Sequence, residues 1–194
     1  MKRLVVLTVM TLLIPFGLAQ FNLTEDTEAR FYIDEVLLGN DKTVIGVTSE
    51  VTAQINFDLD NPQAASVSTI SIDASTLATD STRRDGQIHR RVLATGEEEN
   101  KFITFSPTTI TGLPETATVG DSFEVQMLGD LTIKGTTLEA SFDVTVTIAS
   151  ETELRGLGST IILYPDFDLS IPSVPSVASV EDEVKLELEF VATR

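Results

Sequence analysis

Residues 123–148 read FEVQMLGDLTIKGTTLEASFDVTVTI, two alternating runs that meet at Lys134, Gly135 and Thr136. In the first run the odd positions Phe123, Val125, Met127, Leu131 and Ile133 are apolar. In the second, Leu138, Ala140, Phe142, Val144, Val146 and Ile148 hold the even positions, and Glu, Asp, Gln, Ser and Thr fill the places between. A period of two specifies strands with one dry and one wet face, and the glycine-containing junction predicts a tight hairpin turn. At roughly 3.3 Å per residue, a run of 11 residues extends about 36 Å, twice the common strand length. The long apolar face that results is covered either by a second sheet or by the same sheet curling around it.

The same period extends outward along the chain. Phe31 and Ile33 open a short strand ending near Leu38 and Gly39, and residues 45–59 alternate without a break, which predicts one very long strand bent near Gly46. After the turn at Asp60, Asn61 and Pro62, a third strand carries Ile70 and Ile72, a fourth spans 101–111, and the hairpin supplies two more. Residues 160–164 mark the seventh, and Val184, Leu186, Leu188 and Phe190 the eighth. Eight antiparallel strands with one dry face predict an all-β, closed up-and-down barrel with a short helix between strands three and four. A two-sheet sandwich is the alternative. The long connections, 74–100 and 165–182, share one end, which is expected to be the elaborated mouth above an otherwise plain rim.

Lys2 and Arg3 precede an apolar run from Leu4 to Ile14, followed by Pro15, Gly17, Leu18 and Ala19. Residues 1–19 thus have the form of a cleaved secretory signal peptide, with the barrel domain in 20–194 and a periplasmic or extracellular destination. A membrane anchor needs about 18 to 20 apolar residues. Losing Lys2 and Arg3 leaves 11 basic residues against 30 acidic ones, a net charge of −19, which argues against nucleic acid as a partner. With no cysteine, disulfides, thiol catalysis and cysteine zinc sites are excluded. One histidine, His89, among arginines gives no basis for a nucleophile triad, so no catalytic residue, metal or cofactor is expected. Residues 58–69 lack the glycine and glutamate of a calcium loop at its sixth and twelfth positions, where Gln63 and Thr69 stand. Asn22-Leu23-Thr24 fits a glycosylation sequon, a short and weak pattern.

Between strands three and four, Asp80 and Ser81 are placed to cap a short helix whose Ile88, Val92 and Leu93 face inward. Arg83, Arg84, Arg90 and Arg91 fall within nine consecutive positions there. They form either an anion site at the mouth or a solvated face paired with Asp80, Asp85 and Glu97 to Glu99.

The blocks Phe31-Tyr-Ile-Asp34, Gly46 to Asp58, Ile72-Asp-Ala-Ser-Thr-Leu77, Arg84-Asp85, Phe102-Ile-Thr-Phe105, Gly129-Asp-Leu-Thr-Ile133 and Asp166-Phe167 resemble, in the same order, the YceI family. The resemblance implies a lipocalin-like barrel, secreted or periplasmic, that holds a polyisoprenoid or another long-chain amphiphile. It departs from the family at Gln87, where many members have histidine, at Thr136, in place of an aliphatic residue, and at Tyr164-Pro165, which stands where a basic residue often precedes Asp166-Phe167. The expected function is therefore binding, by sequestering or carrying such a lipid, without covalent chemistry. Phe57, Phe123, Val125, Met127, Leu131, Ile133, Leu138, Phe142, Val144 and Val146 are the expected lipid contacts, and Arg83, Arg84 and Arg91 the expected headgroup contacts. Transient membrane contact and a homodimer stay open. The alternatives are a filled barrel or sandwich that acts in protein interaction or stress without a ligand, and an outer-membrane barrel with the faces reversed, which would carry aromatic girdles.

Overall fold

The computed structural model describes residues 19–173, 175 and 177–194, so the expected leader lies outside the described residues apart from Ala19. The hairpin forms as its alternation requires. Strand β9 (Ser122–Ile133) and strand β10 (Thr136–Ser150) pair antiparallel from end to end, with Val146 opposite Phe123, Val144 opposite Val125 and Phe142 opposite Met127. Lys134 (φ 48°) and Gly135 (φ 79°) both adopt the left-handed conformation of a two-residue hairpin turn. Val125, Met127, Leu131, Ile133 and Val144 are buried, whereas Glu124, Gln126, Asp130, Glu139 and Asp143 on the opposite rows are exposed. A barrel spanning a membrane needs the reverse arrangement.

The remaining strands are β1 (Ala19–Leu23), β2 (Glu28–Leu37), β3 (Asn40–Thr48), β4 (Val51–Thr52), β5 (Gln54–Phe57), β6 (Ser66–Val67), β7 (Ile70–Asp73), β8 (Phe102–Thr111), β11 (Glu153–Leu163) and β12 (Val177–Thr193). All twelve belong to one antiparallel sheet that curls around a common core. Twelve strands stand where eight were expected, because two of the predicted strands are cut and one was not foreseen. The run 45–59 is interrupted at Ser49-Glu50 and at Ala53, so that β3 pairs with β2, β4 with β7, and β5 with both β1 and β6. The predicted third strand divides into β6 and β7, and β1 (AQFNL) does alternate but starts on Ala19, the last residue of the expected leader.

The bend is not at Gly46, which stays within the paired β3. A Cβ there would overlap the ring of Phe31, the residue directly opposite. Glycine is needed at that position for close approach rather than for a turn.

Helix α1 (Thr82–Gln87) continues into a π-helical turn at Ile88–Val92, and both belong to the 74–101 connection between β7 and β8. Ser81 makes no side-chain cap bond. Asp85 instead fastens the preceding loop, its Oδ1 accepting from Thr79 N (2.8 Å) and Thr79 Oγ1 (2.7 Å). His89 Nε2 lies 2.8 Å from Leu77 O, a backbone contact that holds the segment to itself. No helix among the described residues is long and apolar enough to cross a membrane.

Candidate functional site

A cavity of about 170 Å³ runs inside the curled sheet, walled by residues from every strand except β3 and β4. That is space for roughly a dozen water-sized particles, yet its lining is almost wholly apolar, so it is a dry space suited to a hydrocarbon chain. Two aromatic pairs stand in its wall. Phe57 and Phe123 stack with ring centroids 6.4 Å apart, and Phe105 meets Phe142 at 4.7 Å in a tilted arrangement.

Nine of the ten expected lipid contacts line this cavity: Phe57, Phe123, Val125, Met127, Leu131, Ile133, Phe142, Val144 and Val146. Leu138 does not. It lies opposite Leu131 on the same row, but β10 pairs with β11 only from Asp143 onward. On the β11 side the wall has ended there and the side chain is 37% exposed, although Leu131 and Ile133 of β9 still line the cavity. The sequence reading passed over much of the rest of the wall, including Ile55, Val67, Ile70, Phe105, Ile110, Leu113 and Phe190. Ile55, Ile70, Phe105 and Phe190 lie on the dry rows of predicted strands, which was their signal, whereas Val67, Ile110 and Leu113 fall off those rows, Ile110 because β8 is bulged before it.

Two charged residues border the cavity, Arg30 and Glu187, and both are engaged by neighbours. Arg30 bonds Glu28 and Glu189, and Glu187 accepts from Lys185 at 2.6 Å. The bond from Lys185, with a second from Tyr32, holds the Glu187 carboxyl below its ordinary range. A carboxylate with a depressed folded-state pKa contributes stability above its unfolded value, about 4.3, and loses that contribution as pH falls through the folded value. Glu187→Gln should therefore cost about 1 kcal/mol at pH 7, with the gap to the parent closing below pH 4. Urea denaturation at both pH values measures it, and a gap that persists in acid would mean that the carboxylate charge is not its source.

The end expected to be the elaborated mouth is covered by its own connections. Leu77, Leu93 and Phe167 are buried there, and Ile88 and Val92 pack against the same core. None of Arg83, Arg84 and Arg91 lines the cavity. Arg83 and Arg91 are exposed, and among the described residues neither forms an ion pair. Arg84 bonds Asp80, in the loop just before its own helix, and Glu35 of β2 at 3.2 Å. Its guanidinium is held by these two carboxylates rather than by Asp85, as the Arg-Asp pairing had suggested. Glu35 is only 9% exposed, and removing one member of a buried pair leaves the other's charge without compensation. Arg84→Ala should therefore lower stability by about 1–3 kcal/mol, most of it regained on adding Glu35→Gln. Denaturant titration of the three proteins tests this, and a double variant as weak as Arg84→Ala would place the loss elsewhere.

The sequence profile of the YceI-like domain matches residues 23–192. The chain belongs to the YceI-like family. Solved structures share the fold at low identity. BcnA of Burkholderia cenocepacia is 19% identical with a TM-score of 0.68, over 88% of this chain and 99% of that one. A polyisoprenoid binding domain from Saccharophagus degradans is 14% identical with a TM-score of 0.69, over 91% and 98%. The YCEI protein of Campylobacter jejuni is 16% identical with a TM-score of 0.59, over 77% and 84%. No curated protein sequence matches the chain. In this YceI-like chain the cavity is an apolar space enclosed by the curled sheet. Among the described residues no three His, Cys, Asp or Glu side chains gather in a metal-binding group.

Proposed function

We propose that this YceI-like protein binds a long-chain amphiphile, of which a polyisoprenoid is the type, and sequesters or carries it with the apolar tail inside the sheet. The observation that carries this reading is the continuous cavity of about 170 Å³ whose wall is apolar but for Arg30 and Glu187. Phe57, Phe123, Val125, Met127, Leu131, Ile133, Phe142, Val144 and Val146 hold the tail through dispersion and burial alone, each buried methylene contributing about 0.8 kcal/mol. Arg84 positions the segment over the covered end. The reading needs no covalent step and no cofactor.

Extraction of the purified protein with organic solvent, followed by mass spectrometry, tests it. A single-chain lipid in amounts comparable to the protein supports the reading. Protein that yields none, and that takes up no isoprenoid when titrated, sinks it in favour of a filled interior.

The protein is further proposed to be exported, with its leader cleaved after Ala19, and to work in the periplasm or outside the cell. Cleavage there would leave Gln20 as the first residue, paired with Asn56 of β5. Intact mass of the exported protein is expected to equal residues 20–194. A retained N-terminus in the membrane fraction would make residues 4–18 an anchor.

A further inference from the structure

The curled sheet has a window in its side. β7 pairs with β8 as far as Ile70 and Phe105, and one step further Thr69 Oγ1 meets Ser106 Oγ at 3.0 Å. Beyond that point, among the described residues, β6 pairs only with β5, and the rest of β8 only with β9. Pro107, with no N–H to donate, is the next β8 residue, and its pairing with β9 is bulged between Pro107 and Thr109. Proline at such a place keeps an edge open. The gap is closed again below, where Ala117 N donates to Leu59 O at 3.1 Å. Val67, Ile70, Ile110 and Leu113, all half-buried and apolar, line the cavity along this opening.

The two segments that frame the window, residues 53–73 and 105–124, contain no Lys or Arg, but they carry Asp58, Asp60, Asp73, Glu115, Asp121 and Glu124. The rim itself is made of exposed hydroxyls, Ser66, Ser68, Thr69, Thr108 and Thr109. The clustered arginines lie on the 74–101 segment at the opposite, covered end, and Arg30, which borders the cavity from β2, is already paired with Glu28 and Glu189. A phosphate head at this rim would lose water and gain no cation, in a protein whose net charge already repels it. A hydroxyl or carbonyl head would find donors and acceptors to replace its water.

We propose that the tail passes sideways through the window between β6 and β8, and that the head left at its rim is uncharged, an alcohol or carbonyl rather than a phosphate. This rests on the lipid-binding reading above. The window is a gate, so closing it changes how fast the ligand exchanges and not the bound state.

The chain has no cysteine, so a pair placed across the window, S68C with P107C, the next facing positions beyond Thr69 and Ser106, can be joined cleanly by a short bis-maleimide. The unjoined double variant is the reference. Joining is expected to slow both association and dissociation of geranylgeraniol by at least about tenfold with Kd within about twofold, since a gate acts on both rates alike. Geranylgeraniol should bind the unjoined protein at least about tenfold more tightly than geranylgeranyl phosphate. Rates unchanged by joining would overturn the window. Phosphate binding as tight as the alcohol would overturn the uncharged head. Binding of neither ligand to the unjoined or native protein would instead remove the lipid-binding reading, and this inference with it.

Discussion

Met127→Trp is expected to lower affinity for an isoprenoid alcohol about 100-fold while the protein stays folded. Met127 sits mid-strand on β9, between Ile110 of β8 and Phe142 of β10, so a larger side chain there enters the cavity from the centre of its wall. Excluding three or four chain carbons forfeits about 2.5–3 kcal/mol at 0.8 kcal/mol per methylene, close to two decades in Kd. In a close-packed core the same enlargement would cost about 1–3 kcal/mol of stability, but here the void takes up the ring. Met127→Phe, which brings no N–H in need of a partner, should give a smaller loss in the same direction. Lipid titration beside thermal melting measures both effects. A Met127→Trp protein that unfolds while binding in Met127→Phe is intact would show that the interior is close-packed at this level.

How far the sequence could be read depended on how far each feature was local. The hairpin was legible in its place and pairing, because a period of two and a glycine-containing turn are properties of neighbouring positions, though Thr136, read as part of the turn, already belongs to β10. The interruption of β3, β4 and β5 was not, since the alternation of residues 45–59 runs on through Ser49-Glu50 and Ala53. What cuts the strand is its exchange of partners, from β2 to β7 to β1 and β6. A chain that changes neighbours keeps its inward and outward rows, so pattern alone cannot register the change.

The cavity wall was legible for the same reason as the hairpin, and Leu138 failed because the row outlasts the wall. Four cations in nine positions of an acidic chain suggested either an anion site or a solvated face, and Glu35, buried on β2, answers Arg84 across the fold. Connection length suggested an elaborated mouth. The long 74–101 segment covers its end of the core, while the ten residues between β8 and β9 frame an opening that no motif marked.

Two glycines on one inward row of β11 should respond oppositely to the same substitution. Gly156 faces Phe190 of β12 and Val146 of β10, and a Cβ there would lie 2.5 Å from Phe190 Cε1 and overlap the carbonyl oxygen of Thr145. A backbone atom cannot swing aside as a side chain can, so Gly156→Leu should cost about 3 kcal/mol or more, a large part of the roughly 5–15 kcal/mol that holds a domain folded. Gly158, two residues on, lines the cavity, and the nearest atom to its added Cβ is Val144 Cγ2 at 3.3 Å. Gly158→Leu asks only a small shift of that methyl. Because glycine weakens a strand interior by roughly 0.5–1 kcal/mol, the change should leave stability within about 1 kcal/mol of the parent. Its three carbons beyond Cβ then occupy space meant for the ligand, costing about 2 kcal/mol of binding, or about thirtyfold in Kd. Urea denaturation and lipid titration of the two variants should therefore separate the fold from the site. If Gly158→Leu is as damaged as Gly156→Leu, or binds lipid as the parent does, the space beside Gly158 is not where the tail lies.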